Sequence, residues 1–298
     1  MKRFICIDIG GTSIKYGLSN EMGQFMHKDS MDTEALEKGG PGILEKIRNI
    51  SKYYINNNDI EGICISTAGM VDPKEGKIVY ALESLIPEYT GMEIKKAVEK
   101  EFKIKCEVEN DVNCAGLGET WLGAGKNAKS AVCLTVGTGI GGCIILNGKL
   151  VHGFSNSAGE VGYMNLNGES FQNLASTTTL VKRVAEIKKI PQKDLNGKII
   201  FDMAKNNDKD CLNEIDNMVK SLATGIANIC YVINPEVVIL GGGIMAQEEF
   251  LKSRIDKALK EILVARIYEN TKLEFAKRQN DAGMIGALYN FLSQIYNR

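Results

Sequence analysis

One short pattern occurs twice in the chain, and this repeat limits the folds open to it. An apolar strand, a turn of glycine and threonine and a second apolar strand occur at residues 7–18 and again at residues 134–146. A third glycine turn, Gly241–Gly243, follows the apolar strand Val237–Leu240. The segments between these turns alternate strand-like and helix-like apolar spacing, which is typical of α/β domains. A duplicated α/β unit is the simplest interpretation of the pattern.

Composition and charge argue against several classes of protein. The 298 residues suffice for one large or two ordinary domains, and the formal net charge of −1, with no basic patch, argues against nucleic-acid binding. The apolar runs are too short to span a bilayer, and we expect no secretion signal ahead of the first strand. Eight cysteines without a CxxC pair predict free thiols in a reducing, cytoplasmic location. The two histidines, His27 and His152, are not spaced as metal ligands.

The glycine turns are candidate phosphate sites. Backbone N–H groups can approach an anion closely where no Cβ intervenes, and successive N–H groups form a concavity that binds anions. The first turn is Gly10-Gly11-Thr12, and the second begins Gly137-Thr138-Gly139. The second turn contains GxGxxG, but a strand follows it instead of a helix, so a Rossmann dinucleotide site is not predicted. Either these are ordinary hairpin turns, or they hold the phosphates of a nucleotide.

Two aspartates stand next to predicted turns. Asp8 either caps its turn or orients a hydrated Mg²⁺, which prefers one or two carboxylates plus phosphate oxygens. Lys15 either adds positive charge near the phosphates or is a solvated strand lysine. Asp111 either caps the following helix or acts as the general base that takes a proton from an attacking hydroxyl, and one residue can do both. Asn110 offers a donor and an acceptor suited to a pair of hydroxyl groups.

Together these motifs resemble those of the ROK family of sugar kinases, which have the actin-like (ribonuclease H-like) ATPase fold. The matching motifs stand in family order over essentially the whole chain: Asp8–Thr12 with Lys15, Ser66–Asp72, Asn110-Asp111, Leu134–Gly142, Ala158–Gly162 and Val237–Gly243. The resemblance implies an α/β fold with duplicated actin-like domains and a cleft between them. We expect residues 1–112 plus 283–298 to form the N-terminal domain and residues 113–282 the larger C-terminal domain.

The resemblance also implies an ATP-dependent carbohydrate kinase, with a role for each motif. Asp8 is expected to hold Mg²⁺ through water, and Asp111 to be the catalytic base. The expected ATP-binding residues are Gly10, Gly11, Thr12, Lys15, Gly137, Thr138, Gly139, Gly242 and Gly243. The expected sugar-binding residues are Gly69, Asn110, Asp111, Glu160, Tyr163 and Gln172. The resemblance further implies a homodimer, with a small sugar as substrate and neither nucleic acid nor membrane as partner.

One region departs from the family pattern. Family members usually carry a His after the Glu-x-Gly motif and then a cysteine box, and these bind a structural zinc. Here Tyr163 stands at the His position, the stretch Met164–Gln172 has no cysteine, and Gln172 stands at the position of the final Glu. We therefore expect ATP and Mg²⁺ as cofactors and no zinc.

The same replacements bear on the substrate, because the family His and Glu face the C1–C2 edge of a free hexose. Their loss favours a sugar that is substituted at C1, as in β-glucoside kinases, which phosphorylate O6 of a β-glucoside such as cellobiose. Glucokinase and acylhexosamine (N-acetylmannosamine) kinase activities stay open, and Tyr163 can equally be a packing residue. A sugar-sensing pseudokinase is the non-enzyme alternative, against which the retained Asp8 and Asp111 argue. A sugar-responsive repressor would need a winged helix, for which we expect no room ahead of the first strand.

Overall fold

The computed structural model describes residues 2–296, which fall into two compact units. Unit 1 comprises residues 2–123, 152–157 and 280–296. Unit 2 comprises Ala124–Val151 and Ala158–Gln279. No helix among residues 2–296 is both long enough and apolar enough to cross a membrane.

The helices and strands follow one another in α/β order. The first part of the chain forms β1 (Arg3–Ile9), β2 (Ser13–Asn20), β3 (Phe25–Asp32), α1 (Ala35–Ile55, kinked at Gly39), β4 (Gly62–Thr67), β5 (Met70–Asp72), β6 (Lys77–Tyr80), α2 (Ile94–Phe102), β7 (Cys106–Asn110) and α3 (Asp111–Leu122). The second part forms β8 (Ala131–Val136), β9 (Ile140–Leu146), β10 (Lys149–Leu150), β11 (Asn165–Leu166), β12 (Glu169–Ser170), α4 (Phe171–Ala175), α5 (Thr177–Lys188), α6 (Gly197–Lys205), α7 (Lys209–Ile233), β13 (Val237–Gly241), α8 (Glu248–Ile262), α9 (Ala265–Tyr268) and β14 (Lys272–Phe275). The last helix, α10 (Ala282–Tyr296), belongs to unit 1.

The sheet of unit 1 has the strand order β3-β2-β1-β4-β7. β1 is antiparallel to β2 and parallel to β4, which is parallel to β7. Successive side chains of a strand point to opposite faces of the sheet. Ile5, Ile7 and Ile9 accordingly pack in a core with α1 and α2, whereas Phe4 and Cys6 pack with α3 and α10. Asp8 has the parity of Phe4 and Cys6, so its carboxylate points to the side of α3 and α10.

Glycines bring α3 and α10 into close contact. A methyl group at Gly118 would lie 2.4 Å from the Ala282 carbonyl oxygen, and one at Gly286 would lie only 1.7 Å from the carbonyl oxygen of Cys114. This contact keeps the whole of α3 in unit 1, although the sequence-based boundary placed residues from 113 onward in the second domain. Segment 152–157 also belongs to unit 1, which the sequence did not indicate. Whether these compact units are the domains that fold as separate bodies stays a prediction.

Unit 2 repeats the strand arrangement of unit 1. Its sheet has the order β10-β9-β8-β13-β14, with β8 antiparallel to β9 and parallel to β13. Each unit therefore begins with a hairpin around a glycine turn and continues with parallel strands, as the sequence repeat predicted. The tip of the Phe171 ring on α4 packs against Gly225 of α7, where a methyl group would lie 2.3 Å from Phe171 Cζ. The predicted duplicated α/β fold is confirmed.

Candidate active site

Asp8 lies at the carboxyl end of β1 within a set of polar contacts. Ser66 Oγ on β4 donates to Asp8 Oδ1 at 2.6 Å, and Lys15 Nζ on β2 lies 3.9 Å from Asp8 Oδ2. Gly283 in the first turn of α10 comes so close that an added methyl group would lie 2.4 Å from Asp8 Oδ1. Burial raises the pKa of Asp8, against the lowering effects of the Ser66 hydrogen bond and the Lys15 charge.

The first glycine turn is held by a residue that the sequence did not single out. The hydroxyl of Thr33 donates to the Gly10 carbonyl oxygen at 2.7 Å, and its backbone N–H donates to the Thr12 carbonyl oxygen at 2.9 Å. Thr33 is fully buried, whereas Gly11 is exposed and has no atom within 4 Å of the position of a Cβ. The turn therefore presents bare backbone to solvent on one side and is braced by Thr33 on the other.

Asn110, and not Asp111, is the N-cap of α3. Asn110 Oδ1 accepts from the backbone N–H groups of Val112 and Asn113 at 2.9 and 3.0 Å. Asn110 Nδ2 donates to the Gly69 carbonyl oxygen at 2.9 Å and to Asp111 Oδ1 at 3.0 Å. The cap interpretation of Asp111 is thus wrong, because the side chain one residue earlier reaches those N–H groups. The Asn110 amide joins Gly69 to Asp111, and Gly69 itself needs its glycine backbone, with φ +97°.

Next to this cap, a partly exposed histidine contacts a buried glutamate. His152 Nε2 lies 2.7 Å from Glu109 Oε2, and the Glu109 side chain is fully buried. Glu109 Oε1 accepts from the Asn113 side-chain amide at 2.9 Å and from the Asn110 backbone N–H at 2.8 Å. The hydrogen bond to Glu109 raises the pKa of His152, while burial opposes the rise.

In unit 2, the second and third glycine turns border a cavity of about 520 Å³. This is within the usual size range of small-molecule sites. Gly137, Thr138 and Gly243 line it, together with Thr177, Thr178, Val181, Gln192, Leu195, Asn196, Gly197, Lys198, Ile244 and Gln247. Two other predicted residues, Gly139 and Gly242, are not among its lining residues. Gly242 has φ +100°, and a methyl group there would lie 2.2 Å from the Val136 carbonyl oxygen, so it serves the turn itself.

The cavity has polar groups suited to an anionic nucleotide. The Thr177 hydroxyl is buried and makes no hydrogen bond to any described residue, while its backbone N–H donates to the Gly137 carbonyl oxygen at 2.9 Å. The positions of a Cβ on Gly137 and Gly243 have no atom within 4 Å. Lys198 adds a positive charge, and Val181, Leu195 and Ile244 supply apolar surface. A group with phosphates, hydroxyls and a flat apolar ring fits these residues.

Three predicted sugar-binding residues, Glu160, Tyr163 and Gln172, belong to unit 2 and lie near the second glycine turn of the chain, which begins at Gly137. Gly159 and Gly162 pack tightly on β9, where methyl groups would lie 2.4 Å from the Gly142 and 2.3 Å from the Ile140 carbonyl oxygens. They hold the intervening Glu160, which is half-buried, and burial raises the pKa of its carboxyl group. This carboxyl group makes no hydrogen bond to any residue from 2 to 296.

Tyr163 and Gln172 have different surroundings. Tyr163 is 55% exposed, so packing does not account for it. The Gln172 amide oxygen lies over the second turn, where a methyl group at Gly139 would be 2.6 Å away and one at Gly162 would be 3.1 Å away. Gln172 thus contacts the glycine turn beside the cavity, which the sequence did not predict.

The Asp8 carboxylate fits a magnesium ion that is also bound by phosphate. Such an ion is usually bound by one or two protein carboxylates, and Asp8 is partly exposed. Within the described chain, no group of three or more His, Cys, Asp or Glu side chains is placed to share a metal ion. The prediction that the chain binds no zinc stays a prediction, as do the individual roles assigned to the site residues.

Several residues of these sites were not predicted from the sequence. Thr33, His152 and Gly283 reach the site from other segments, and no local pattern marks them; Glu109 directly precedes Asn110, but only its contact with His152 shows its role. The lining of the cavity likewise comes from the turns after β8 and β13, the start of α5 and residues 192–198. Ser66 belongs to one of the matching motifs, but only the parallel register of β1 and β4, which pairs it with Asp8, shows its contact.

Known proteins share this architecture. The sequence matches the ROK family model over residues 4–294. It is 32% identical to a β-glucoside kinase of Listeria innocua over 98% of each chain. The structure of a ROK family protein from Streptococcus pneumoniae in complex with sucrose is 31% identical, with a TM-score of 0.86 over 99% of this chain and 100% of that one. A ROK family glucokinase from Streptomyces griseus in complex with glucose and AMPPNP is 25% identical, with a TM-score of 0.82 over 96% of this chain and 98% of the other.

These similarities extend over nearly the whole chain, and they confirm the actin-like ATPase fold that the motifs implied. Two of these relatives are named as sugar kinases, one a β-glucoside kinase and the other a glucokinase. The chain belongs to the ROK family and is a carbohydrate kinase.

Proposed function

We propose that this kinase transfers the γ-phosphate of ATP to O6 of a β-glucoside such as cellobiose. The proposal depends on the surroundings of Tyr163 and Gln172, the two positions that differ from the usual family pattern. Tyr163 is exposed, and the Gln172 amide lies on the second glycine turn. The family resemblance implies that these two positions face the C1 edge of the sugar. Here they carry no carboxylate to bind a free C1 hydroxyl, which favours a sugar that is substituted at C1.

Two relatives support a substrate with a substituted C1. The relative from Listeria innocua is named a β-glucoside kinase. The structure from Streptococcus pneumoniae holds sucrose, a disaccharide whose glucose ring is substituted at C1. The exposed ring of Tyr163 offers a face on which such a substituent can stack.

In unit 1, Asp111 is proposed to take the proton of the attacking hydroxyl. Its Oδ1 is oriented by hydrogen bonds from the Val112 N–H and the Asn110 amide, so the carboxylate is held before substrate arrives. The Gly69 backbone, fixed by the same amide, is proposed to bind a sugar hydroxyl. In unit 2, the carboxyl group of Glu160 is proposed to accept a hydrogen bond from another hydroxyl, because it has no partner within the described chain.

The phosphates of ATP are proposed to lie on the glycine turns. Gly10, Gly11 and Thr12 offer braced and open backbone, Lys15 adds charge next to Asp8, and the cavity of unit 2 takes the nucleoside. Mg²⁺, when bound, supplies positive charge that neutralises the phosphate oxygens during transfer. Asp8 is proposed to hold this ion through water, and Ser66 donates a hydrogen bond to one of its carboxylate oxygens.

The test is a comparison of kcat/KM for cellobiose, glucose and N-acetylmannosamine at saturating ATP. We expect cellobiose to give the highest value. A clear preference for either free monosaccharide would remove the glucoside proposal and leave the kinase assignment intact. Glucokinase activity is the second candidate, because the glucokinase from Streptomyces griseus has the same fold.

A variant pair sharpens this test. The double substitution Tyr163→His with Gln172→Glu restores the usual family residues, and we expect it to raise kcat/KM for glucose relative to cellobiose by about tenfold, the discrimination that a few pocket contacts provide. Tyr53→His is a matched control, since Tyr53 is 59% exposed on α1. An unchanged glucose-to-cellobiose ratio in the double variant would separate these two positions from substrate choice.

A further inference from the structure

We propose that His152 and Glu109 form a charged pair that positions Asp111 and sets the pH range in which Asp111 accepts a proton. The inference rests on the proposed role of Asp111 as the base. His152 and Glu109 are positioning residues here, because they act through other residues of unit 1.

Glu109 is well placed to hold the start of α3. It is fully buried at the end of β7, and a buried carboxylate is unfavourable unless it is both paired and hydrogen-bonded. One of its oxygens takes the His152 contact at 2.7 Å, and the other accepts from Asn110 N–H and the Asn113 amide. Both oxygens of Glu109 are thereby engaged.

A continuous set of hydrogen bonds connects this pair to Asp111. Glu109 accepts from the Asn110 backbone N–H, and the Asn110 side chain donates to Asp111 Oδ1 at 3.0 Å. Asn113 is part of the same set: its side-chain amide donates to Glu109, and its backbone N–H donates to Asn110 Oδ1. Displacing Glu109 therefore disturbs the groups that orient the Asp111 carboxylate.

The charge of His152 matters as much as its hydrogen bond. Glu109 on β7 and Asp72 on β5 both raise the pKa of His152, with burial acting the other way, so the imidazole stays protonated to higher pH than usual. The resulting cation offsets the negative charge of Glu109, two residues along the chain from Asp111. Without that cation, the negative charge of Glu109 is no longer offset, and Asp111 holds its proton to higher pH.

His152 reaches this position only through the fold. It begins segment 152–157, which belongs to unit 1 although the residues on both sides belong to unit 2. The rival explanation is that His152 merely anchors this segment. An anchor predicts a loss of stability, but it does not predict a shift of the pH profile whose direction depends on the sign of the charge removed.

The experiment measures the acid limb of the pH profile of kcat/KM, with saturating ATP and the best sugar of the panel above. In His152→Gln, the amide can still donate to Glu109, but the positive charge is gone, and the limb should move to higher pH by roughly 0.5–1 unit. In Glu109→Gln, the negative charge is removed, and the limb should move to lower pH. In the double variant, the two charge changes cancel, and the limb should return toward that of the wild type.

The control is His27→Gln, which removes the other histidine of the chain, bonded to Tyr54 Oη on α1 at 2.7 Å, and should leave the limb unmoved. The proposal is overturned if the limb stays within about 0.2 pH unit in both single variants, or if both single variants move it in the same direction. If His152→Gln fails to fold, the downward shift in Glu109→Gln still decides the question.

Failure of this inference can be told apart from failure of the proposed function. Asp111→Asn tests the base directly, and near-normal turnover in that variant would remove the basis of both proposals. An inactive Asp111→Asn variant together with an unmoved limb in the charge variants would overturn the His152–Glu109 proposal alone.

Discussion

Replacing Thr33 with valine tests whether the first glycine turn depends on its brace. Valine has nearly the shape of threonine but cannot donate to the Gly10 carbonyl oxygen, which now receives this hydrogen bond at 2.7 Å. Thr33 is fully buried and Gly10 is partly exposed, so water can replace part of the lost bond. The free energy of unfolding should fall by about 1–2 kcal/mol, the range for a lost buried hydrogen bond.

The loss should appear in both stability and nucleotide use. A decrease of this size lowers Tm by roughly 1.5–3 °C in a protein of this length. A looser turn should raise KM for ATP several-fold, while KM for the sugar stays within about twofold, because the two substrates contact different groups. Thermal unfolding and steady-state kinetics at pH 7.5 measure these quantities.

Ser51 provides a matched control for Thr33. Its hydroxyl is also fully buried in unit 1, on α1, but makes no hydrogen bond to any described residue. Ser51→Ala should therefore change the free energy of unfolding by no more than about 0.5 kcal/mol. If Thr33→Val and Ser51→Ala melted at the same temperature and gave the same KM for ATP, the reasoning about the turn would be wrong.

Three further results are expected. Asp111→Asn keeps an acceptor for the Val112 N–H but loses the base, so kcat should fall by about 10²–10⁴-fold with nucleotide affinity retained in calorimetry; turnover near that of the wild type would contradict the assignment. Thr177→Val removes the buried hydroxyl that has no partner among the described residues, and it should weaken ATP binding several-fold without lowering Tm, whereas an unchanged Kd would place the nucleotide elsewhere. The difference in unfolding free energy between the wild type and His152→Gln should be largest below about pH 6.5 and should shrink as the pH rises through the raised folded-state pKa of His152. The reason is that His152 binds its proton more tightly in the folded state, so the pair stabilises the fold only while His152 is protonated. Chemical denaturation at pH 6 and pH 9 measures this difference, and a difference that grew with pH would contradict the ion pair.

The repeating pattern was the part of the fold most accessible from the sequence. The apolar strand predicted ahead of the second glycine turn is the end of β8, in which six apolar or threonine residues precede that turn. The short hairpin of β5 and β6 was not recognised, since three or four residues are too few to show a periodicity. The N-cap of α3 was assigned one residue late, because Asn110 and Asp111 are both good capping residues and only the geometry distinguishes them.

Local sequence alone predicted the groups that are proposed to carry the chemistry of this kinase: the glycine turns, Asp8 and the Asn110-Asp111 pair, and it showed that the family's cysteine box is missing. These are features of adjacent residues, and neighbours along a chain stay neighbours when it folds. The partners that orient those groups, such as Thr33 under the first turn, Gly283 beside Asp8 and His152 behind Glu109, come from distant segments. Their contacts arise from strand register, from close helix packing and from the return of segment 152–157 to unit 1, none of which leaves a mark in a stretch of neighbouring residues.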